Sequence, residues 1–121
     1  MSAVANILVA FVALLHLWFL VLEMFLWTKP LGLKTFRNTP EKAQSSATLA
    51  ANQGLYNGFL AAGLVWGLIA ADPALGFAVK NFFLGCVIVA GVFGAATVSR
   101  RIFAVQAAPA ILALGLLWAG R

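Results

Sequence analysis

Four long apolar stretches dominate the chain, and short polar segments separate them. A helix crossing the roughly 30 Å hydrocarbon core of a bilayer takes about 20 mostly apolar residues. The first stretch runs from Ala3 to about Trp27. Residues 28–46 follow, holding Lys29, Pro30, Gly32, Lys34, Arg37, Pro40, Glu41 and Lys42. That mixture of prolines, glycine and charge marks a loop, with room for a short interfacial helix. Thr39 and Ser46 are candidate caps for what comes next. The second stretch covers about 47–71 and stops at the turn signal of Asp72 and Pro73. The third covers about 75–99 and ends at Arg100 and Arg101. The fourth covers about 102–119 and contains Pro109, where the freed carbonyl predicts a modest kink. The pattern predicts an all-α membrane protein, a compact bundle of four transmembrane helices in one domain over residues 1–121. The leading stretch has no basic n-region, exceeds an h-region in length and carries His16 and Glu23, so it is read as a retained span.

Composition points the same way. Of 121 residues, 64% are hydrophobic and 9% charged, against roughly 25% charged in a soluble domain. A small globule has too much surface to wet with so few charges, so the bilayer is the expected partner. The net charge of +5 comes from loops between apolar runs rather than from a basic face with interleaved aromatics, so no nucleic acid is expected. Lys29, Lys34, Arg37, Lys42, Arg100 and Arg101 fall on one side of the spans; Lys80 and Arg121 fall on the other. The positive-inside rule then puts the 28–46 loop in the cytoplasm and both termini outside it, in a multi-pass bacterial inner (plasma) membrane protein. Lys80 lies where its stem can snorkel toward headgroups. Trp27 and Trp118 suit interfacial belts.

Within lipid, polar and small residues carry the information. His16 and Glu23 are seven residues apart and share one stripe of the first helix with Val9 and Trp27. Asn52, Gln53, Tyr56 and Asn57 spread over roughly 140° of the second helix, and Gly63 and Gly67 continue that face. Unpaired amides are costly in hydrocarbon, so this face is expected to turn inward. Glu23 and Asn52 each fall roughly 7 Å inside the cytoplasmic ends of their spans, and His16 and Asn57 about 15–18 Å in. Thr97 and Gln106 occupy the cytoplasmic halves of the last two. These positions predict a pocket of His16, Glu23, Asn52, Gln53, Tyr56, Asn57 and Gln106 that opens toward the cytoplasm and takes a small molecule or cation.

Plainer roles exist for each residue. Amides and histidine in membrane helices often bond helices together, at about 0.6 kcal/mol per contact. Glu23 could pair with Lys29 or Lys34. Gly54–Gly58 and Gly63–Gly67 are GxxxG matches, and Gly85, Gly91 and Gly94 line the third span. Close packing within the chain is the favoured reading, with a homodimer through glycine-rich faces as the minority one. Cys86 is the sole cysteine, which excludes an intrachain disulfide and a thiolate cage and leaves a small packing residue. HExxH, ExxH, GxSxG and Walker patterns are absent from the sequence. One histidine and one carboxylate within the spans make a poor metal site, and no metal or cofactor is expected.

Two segments carry a family resemblance: His16-Leu-Trp-Phe-Leu-Val-Leu-Glu23-Met-Phe-Leu-Trp27 with the Pro30 and Phe36 loop, and Asn52-Gln-Gly-Leu-Tyr56-Asn57-Gly58-Phe-Leu-Ala-Ala-Gly63. The chain resembles the domain-of-unknown-function 1304 family of small membrane proteins along essentially its whole length. The resemblance implies a four-helix membrane protein and brings no reaction with it. Three functions compete: binding or transport at the pocket, a structural or accessory subunit, and an enzyme acting on a lipid-like substrate. The enzyme would use His16 as general base, although two helical turns separate it from Glu23.

Overall fold

A computed structural model describes residues 2–97 and 99–121, and the regular elements among them are all helical. They are α1 (Ser2–Met24), α2 (Pro30–Phe36), α3 (Pro40–Ile69), α4 (Pro73–Thr97), α5 (Arg100–Ile102), a π-helical turn (Phe103–Ala107) and α6 (Ala108–Ala119). Three helical stretches are long and apolar enough to cross a membrane: Ala3–Met24, Pro73–Thr97 and Arg100–Ala119. Helix α3 has 30 residues and so does not fall short on length. Asn52, Gln53, Tyr56 and Asn57, grouped within it, dilute its apolar character.

The element boundaries have local causes. Pro40 is the first residue of α3, where a proline loses no hydrogen bond. The Lys42 amide donates to Thr39 Oγ1 at 3.2 Å, so Thr39 caps the helix. The helix therefore starts seven residues before the expected 47, and the loop is correspondingly shorter. The expected short helix in that loop is α2, also opened by a proline. It ends at Arg37, whose φ of 54° and ψ of 43° are left-handed. The Arg37 amide donates to the Lys34 carbonyl and the Asn38 amide to the Leu33 carbonyl, the pairing of a Schellman stop. Asp72 caps α4 through Oδ1 to the Ala74 amide, 3.0 Å, with Pro73 as first helical residue. Ahead of Pro109 the backbone widens into the π turn rather than simply kinking. A proline at 109 offers no N–H to the Val105 carbonyl and its ring crowds that group; a π turn is one way a helix absorbs such a defect.

The chain falls into two compact units, Met1–Ala13 with Leu60–Arg121, and Leu14–Phe59. The core of the first gathers Ala5, Val9, Val12 and Ala13 from α1, Leu64 from α3, Leu84 and Val87 from α4, and Ala110, Ala113 and Leu117 from α6. Small residues let the helices close up here. A Cβ at Gly63 would land on the Phe83 ring, one at Gly67 would sit 2.6 Å from Lys80 Cγ, and one at Gly91 2.6 Å from Ala107 Cβ. In the second unit, the end of α1 turns into α2 through amides of Phe25 and Leu26 donating to the Val21 carbonyl. Gly32 of α2 is buried where a side chain would strike the Leu26 carbonyl. Trp27 ties this corner together, packing on Phe36 with ring centroids 4.8 Å apart and donating to Ser46 Oγ at 3.1 Å.

Candidate functional site

The second unit holds a carboxylate paired with an amide. Glu23 and Asn57, 34 positions apart in sequence, meet in a hydrogen bond from Asn57 Nδ2 to Glu23 Oε1 of 2.5 Å. Two glycines allow the approach. A Cβ at Gly54 would lie 2.6 Å from Met24 Cγ, 3.1 Å from Glu23 Cβ and 3.2 Å from the Leu20 carbonyl oxygen; one at Gly58 would lie 2.7 Å from Leu20 Cδ1. The Gly54–Gly58 motif is thus filled by α1 of the same chain, and Gly63 and Gly67 are filled likewise by α4. Such small-residue seams bring helix backbones close enough for side chains like Asn57 to reach across.

Burial orders the remaining positions. Asn57 is 4% exposed and His16 0%, and these are the buried polar side chains among the described residues. Along α1 the covered stripe runs Ala5, Val9, Val12, His16 and on to the half-buried Glu23, at the alternating spacing of three and four that one helix face requires. The His16 ring sits edge-on to Phe19, centroids 5.1 Å apart. No buried side-chain nitrogen or oxygen among the described residues lacks a hydrogen-bond partner. A sealed, satisfied histidine offers a substrate no approach, which counts against the general-base role.

On α3 the covered stripe is Ala43, Ala50, Gly54, Asn57, Ala61 and Leu64. Asn52 and Gln53 are exposed and Tyr56 is 55% exposed, so the expectation that the whole amide face turns inward is corrected. An arc of about 140° is wider than the seam its glycines form, and only Asn57 among the four falls on that seam. The end of the first helix is corrected too: α1 ends at Met24 rather than about Trp27, so Glu23 leaves from its last turn. Side chains on a helix lean toward its N-terminus, which sends the carboxylate back along α1. The hydrogen bond given to it among the described residues comes from Asn57, where the sequence also allowed Lys29 or Lys34. Gln106 belongs to the π turn of the other unit, half-buried. The Thr97 hydroxyl donates to its own helix, to the Phe93 carbonyl at 2.7 Å.

The first unit carries polar pairs that sequence reasoning passed over. Lys80 Nζ donates to Asn6 Oδ1 at 2.8 Å, and Trp118 Nε1 donates to Asn81 Oδ1 at 2.6 Å. Arg121 stacks its guanidinium over Phe77 and Trp118, 4.7 and 5.0 Å from the ring centroids. Asn6 and Asn81 each stand inside an apolar run, the same signal that singled out Asn57. Lys80 therefore packs its stem against Gly67 and spends its ammonium on an amide. Cys86 lines a shallow apolar groove of about 730 Å³ along α4 with Asn81, Phe82, Gly85, Val89, Ala90 and Phe93. Among the described residues no three of His, Cys, Asp and Glu are grouped to hold a metal ion.

Comparison with known proteins agrees with the resemblance read from the two segments. An uncharacterized protein, YpaA, of Lactococcus lactis subsp. lactis (strain IL1403) is 29% identical over 116 residues, covering 94% of this chain and 96% of that one. No solved structure matches the chain. Residues 10–118 match the family described as protein of unknown function (DUF1304), a span that takes in α1 from its middle, the Glu23–Asn57 pair and all the later helices. The chain belongs to the DUF1304 family.

Proposed function

We infer that this is a four-span protein of the bacterial plasma membrane that binds, and in doing so moves, a small cation or polar molecule at Glu23. The fourth span, beyond the three stretches of membrane length, is the C-terminal two-thirds of α3. At about 1.5 Å per residue α3 is about 45 Å long, more than the roughly 30 Å of hydrocarbon. Counting about 20 residues back from Ile69 leaves its first turns in water. Asn52 and Gln53 then stand at the headgroup boundary, where exposed amides are hydrated. The distribution of Lys and Arg supports a cytoplasmic α1–α3 connection and termini on the far side.

One observation carries the functional reading: the partner that packing gives Glu23 is an amide. A lysine or arginine would hold the carboxylate charged. Asn57 has both a donor and an acceptor, so it satisfies the carboxylate as an anion and, after an amide rotation, as an acid. Such a pair can release a proton and accept a cation without leaving a buried polar group unpaired. The test is uptake of tetraphenylphosphonium into proteoliposomes under an imposed pH gradient, with proton flux followed by an internal dye. Glu23→Gln keeps the shape and the hydrogen bond and should abolish coupled flux; flux equal to that of the parent protein rejects the transport reading.

A second reading, an accessory subunit, draws on the exposure of Asn52, Gln53 and Tyr56 along α3. Amides on an outer helix surface are suited to bonding a partner helix. Co-purification of one membrane protein in fixed stoichiometry, lost on Asn52→Leu/Gln53→Leu, would favour it over transport.

A further inference from the structure

We propose that α2 and its flanks form a recognition surface for the headgroups of anionic phospholipids. The helix begins six residues after the end of the membrane-length helix α1 and lies folded onto that end through Gly32 and Trp27. So short a connection holds it at headgroup level. Lys29, Lys34, Arg37 and Lys42 are all exposed there, against a single carboxylate, Glu41. Glu41 stands in the first turn of α3, where the helix dipole already engages its charge. Leu31 is 48% exposed and lies three residues before Lys34, so an apolar side chain and an ammonium share one side of the helix. That is the arrangement of an interfacial helix, with a leucine for the acyl boundary and cations for phosphate.

Arg37 adds an independent argument. Its φ of 54° is the one positive value on a non-glycine residue among the described residues, at a helix stop that glycine fills without steric cost. A backbone outlier of this kind points to a use for the side chain. At this position a guanidinium presents forked donors to phosphate oxygens, and glycine would present nothing. Lys34, one turn earlier, supplies a second cation. The occupant that fits is a lipid bearing net negative charge, such as phosphatidylglycerol, and not zwitterionic phosphatidylcholine, whose choline meets the same cations.

The experiment is native mass spectrometry of the full-length protein released from micelles that contain equal amounts of phosphatidylglycerol and phosphatidylcholine. The parent protein should retain phosphatidylglycerol preferentially. Each cation removed near an anionic surface is worth about fivefold in association, so Lys34→Gln/Arg37→Gln should reduce the preference by roughly 25-fold. Arg121→Gln, in the other compact unit and remote in sequence, should leave it intact, and thermal melting in the same micelles confirms that each variant is folded. Equal retention of the two lipids by the parent, or a preference unchanged in the folded double variant, overturns the proposal. Neither result bears on flux through Glu23, which is measured separately.

Discussion

Replacing Gly54 by alanine tests the seam on which the Glu23–Asn57 pair depends. The new Cβ would stand 2.6 Å from Met24 Cγ, 3.1 Å from Glu23 Cβ and 3.2 Å from the Leu20 carbonyl oxygen. Met24 is long and can swing aside. The other two atoms belong to, or are fixed by, the α1 backbone, so α1 and α3 must separate by a few tenths of an ångström. Overpacking of this kind costs about 1–3 kcal/mol. Alanine also gains helix propensity over glycine, about 1 kcal/mol, and that gain partly masks the clash. Gly85→Ala supplies the reference, because a Cβ at Gly85 meets nothing within 4 Å and the propensity gain is the same. The difference between the two variants isolates the steric term: Gly54→Ala should be less stable than Gly85→Ala by about 1–3 kcal/mol. Reversible unfolding of each in mixed micelles, followed by circular dichroism, measures it. If the two variants unfold alike, α1 and α3 are not in contact at Gly54 and the geometry of the pair is wrong. Should Gly54→Ala instead leave stability untouched while changing oligomeric mass, the motif is a dimer seam after all.

Other outcomes follow from single contacts. Asn57→Leu removes the partner of Glu23 and should cost about 1–2 kcal/mol, toward the upper end for interhelical hydrogen bonds in membranes, whereas Glu23→Gln keeps an acceptor for Asn57 and should cost under about 0.5 kcal/mol; the same micelle unfolding assay ranks them, and the reverse order would contradict the pairing. Thr39→Ala deletes the cap on α3 and should cost about 1 kcal/mol, seen as faster hydrogen exchange at residues 41–43 with the rest of α3 unchanged. Arg37→Gly relieves a left-handed non-glycine residue and should slow exchange at the Asn38 amide by a stabilisation of about 1 kcal/mol; faster exchange would mean the side chain itself holds the turn.

The helices were readable because apolar length is a direct demand of the bilayer, and no side-chain detail enters it. Where α3 begins was not, since Pro40 and the charges after it look like loop to a pattern count. Proline at a first helical position and Thr39 before it are start signals once read together. The stripe joining His16 to Glu23 follows from a spacing of seven, and the fold buries the first wholly and the second in part. The partner of Glu23 was hidden by proximity: Lys29 and Lys34 are near in sequence, while Asn57 arrives from another helix. Choosing Asn57 over Asn52 requires knowing which glycines face α1, and periodicity alone leaves about 140° of α3 undecided. Asn6 and Asn81 were within reach of the same rule that found Asn57, an amide within a predominantly apolar stretch. Their partners, Lys80 and Trp118, lie 74 and 37 positions away, beyond any local pattern.

The π turn at Phe103–Ala107 has a consequence for how this segment tolerates change. Bonding each amide to the fifth carbonyl back places an additional residue in the turn, so its girth exceeds that of the helix around it. Ala107 presses that swollen girth onto α4 at Gly91, where backbone atoms stand 2.8 and 3.0 Å from where a methyl would be. Widening on one helix and bareness on the other are therefore a lock and its key. A methyl at 91 would meet the Ala107 backbone rather than the yielding end of a flexible side chain, so Gly91→Ala should force α4 and the π turn apart.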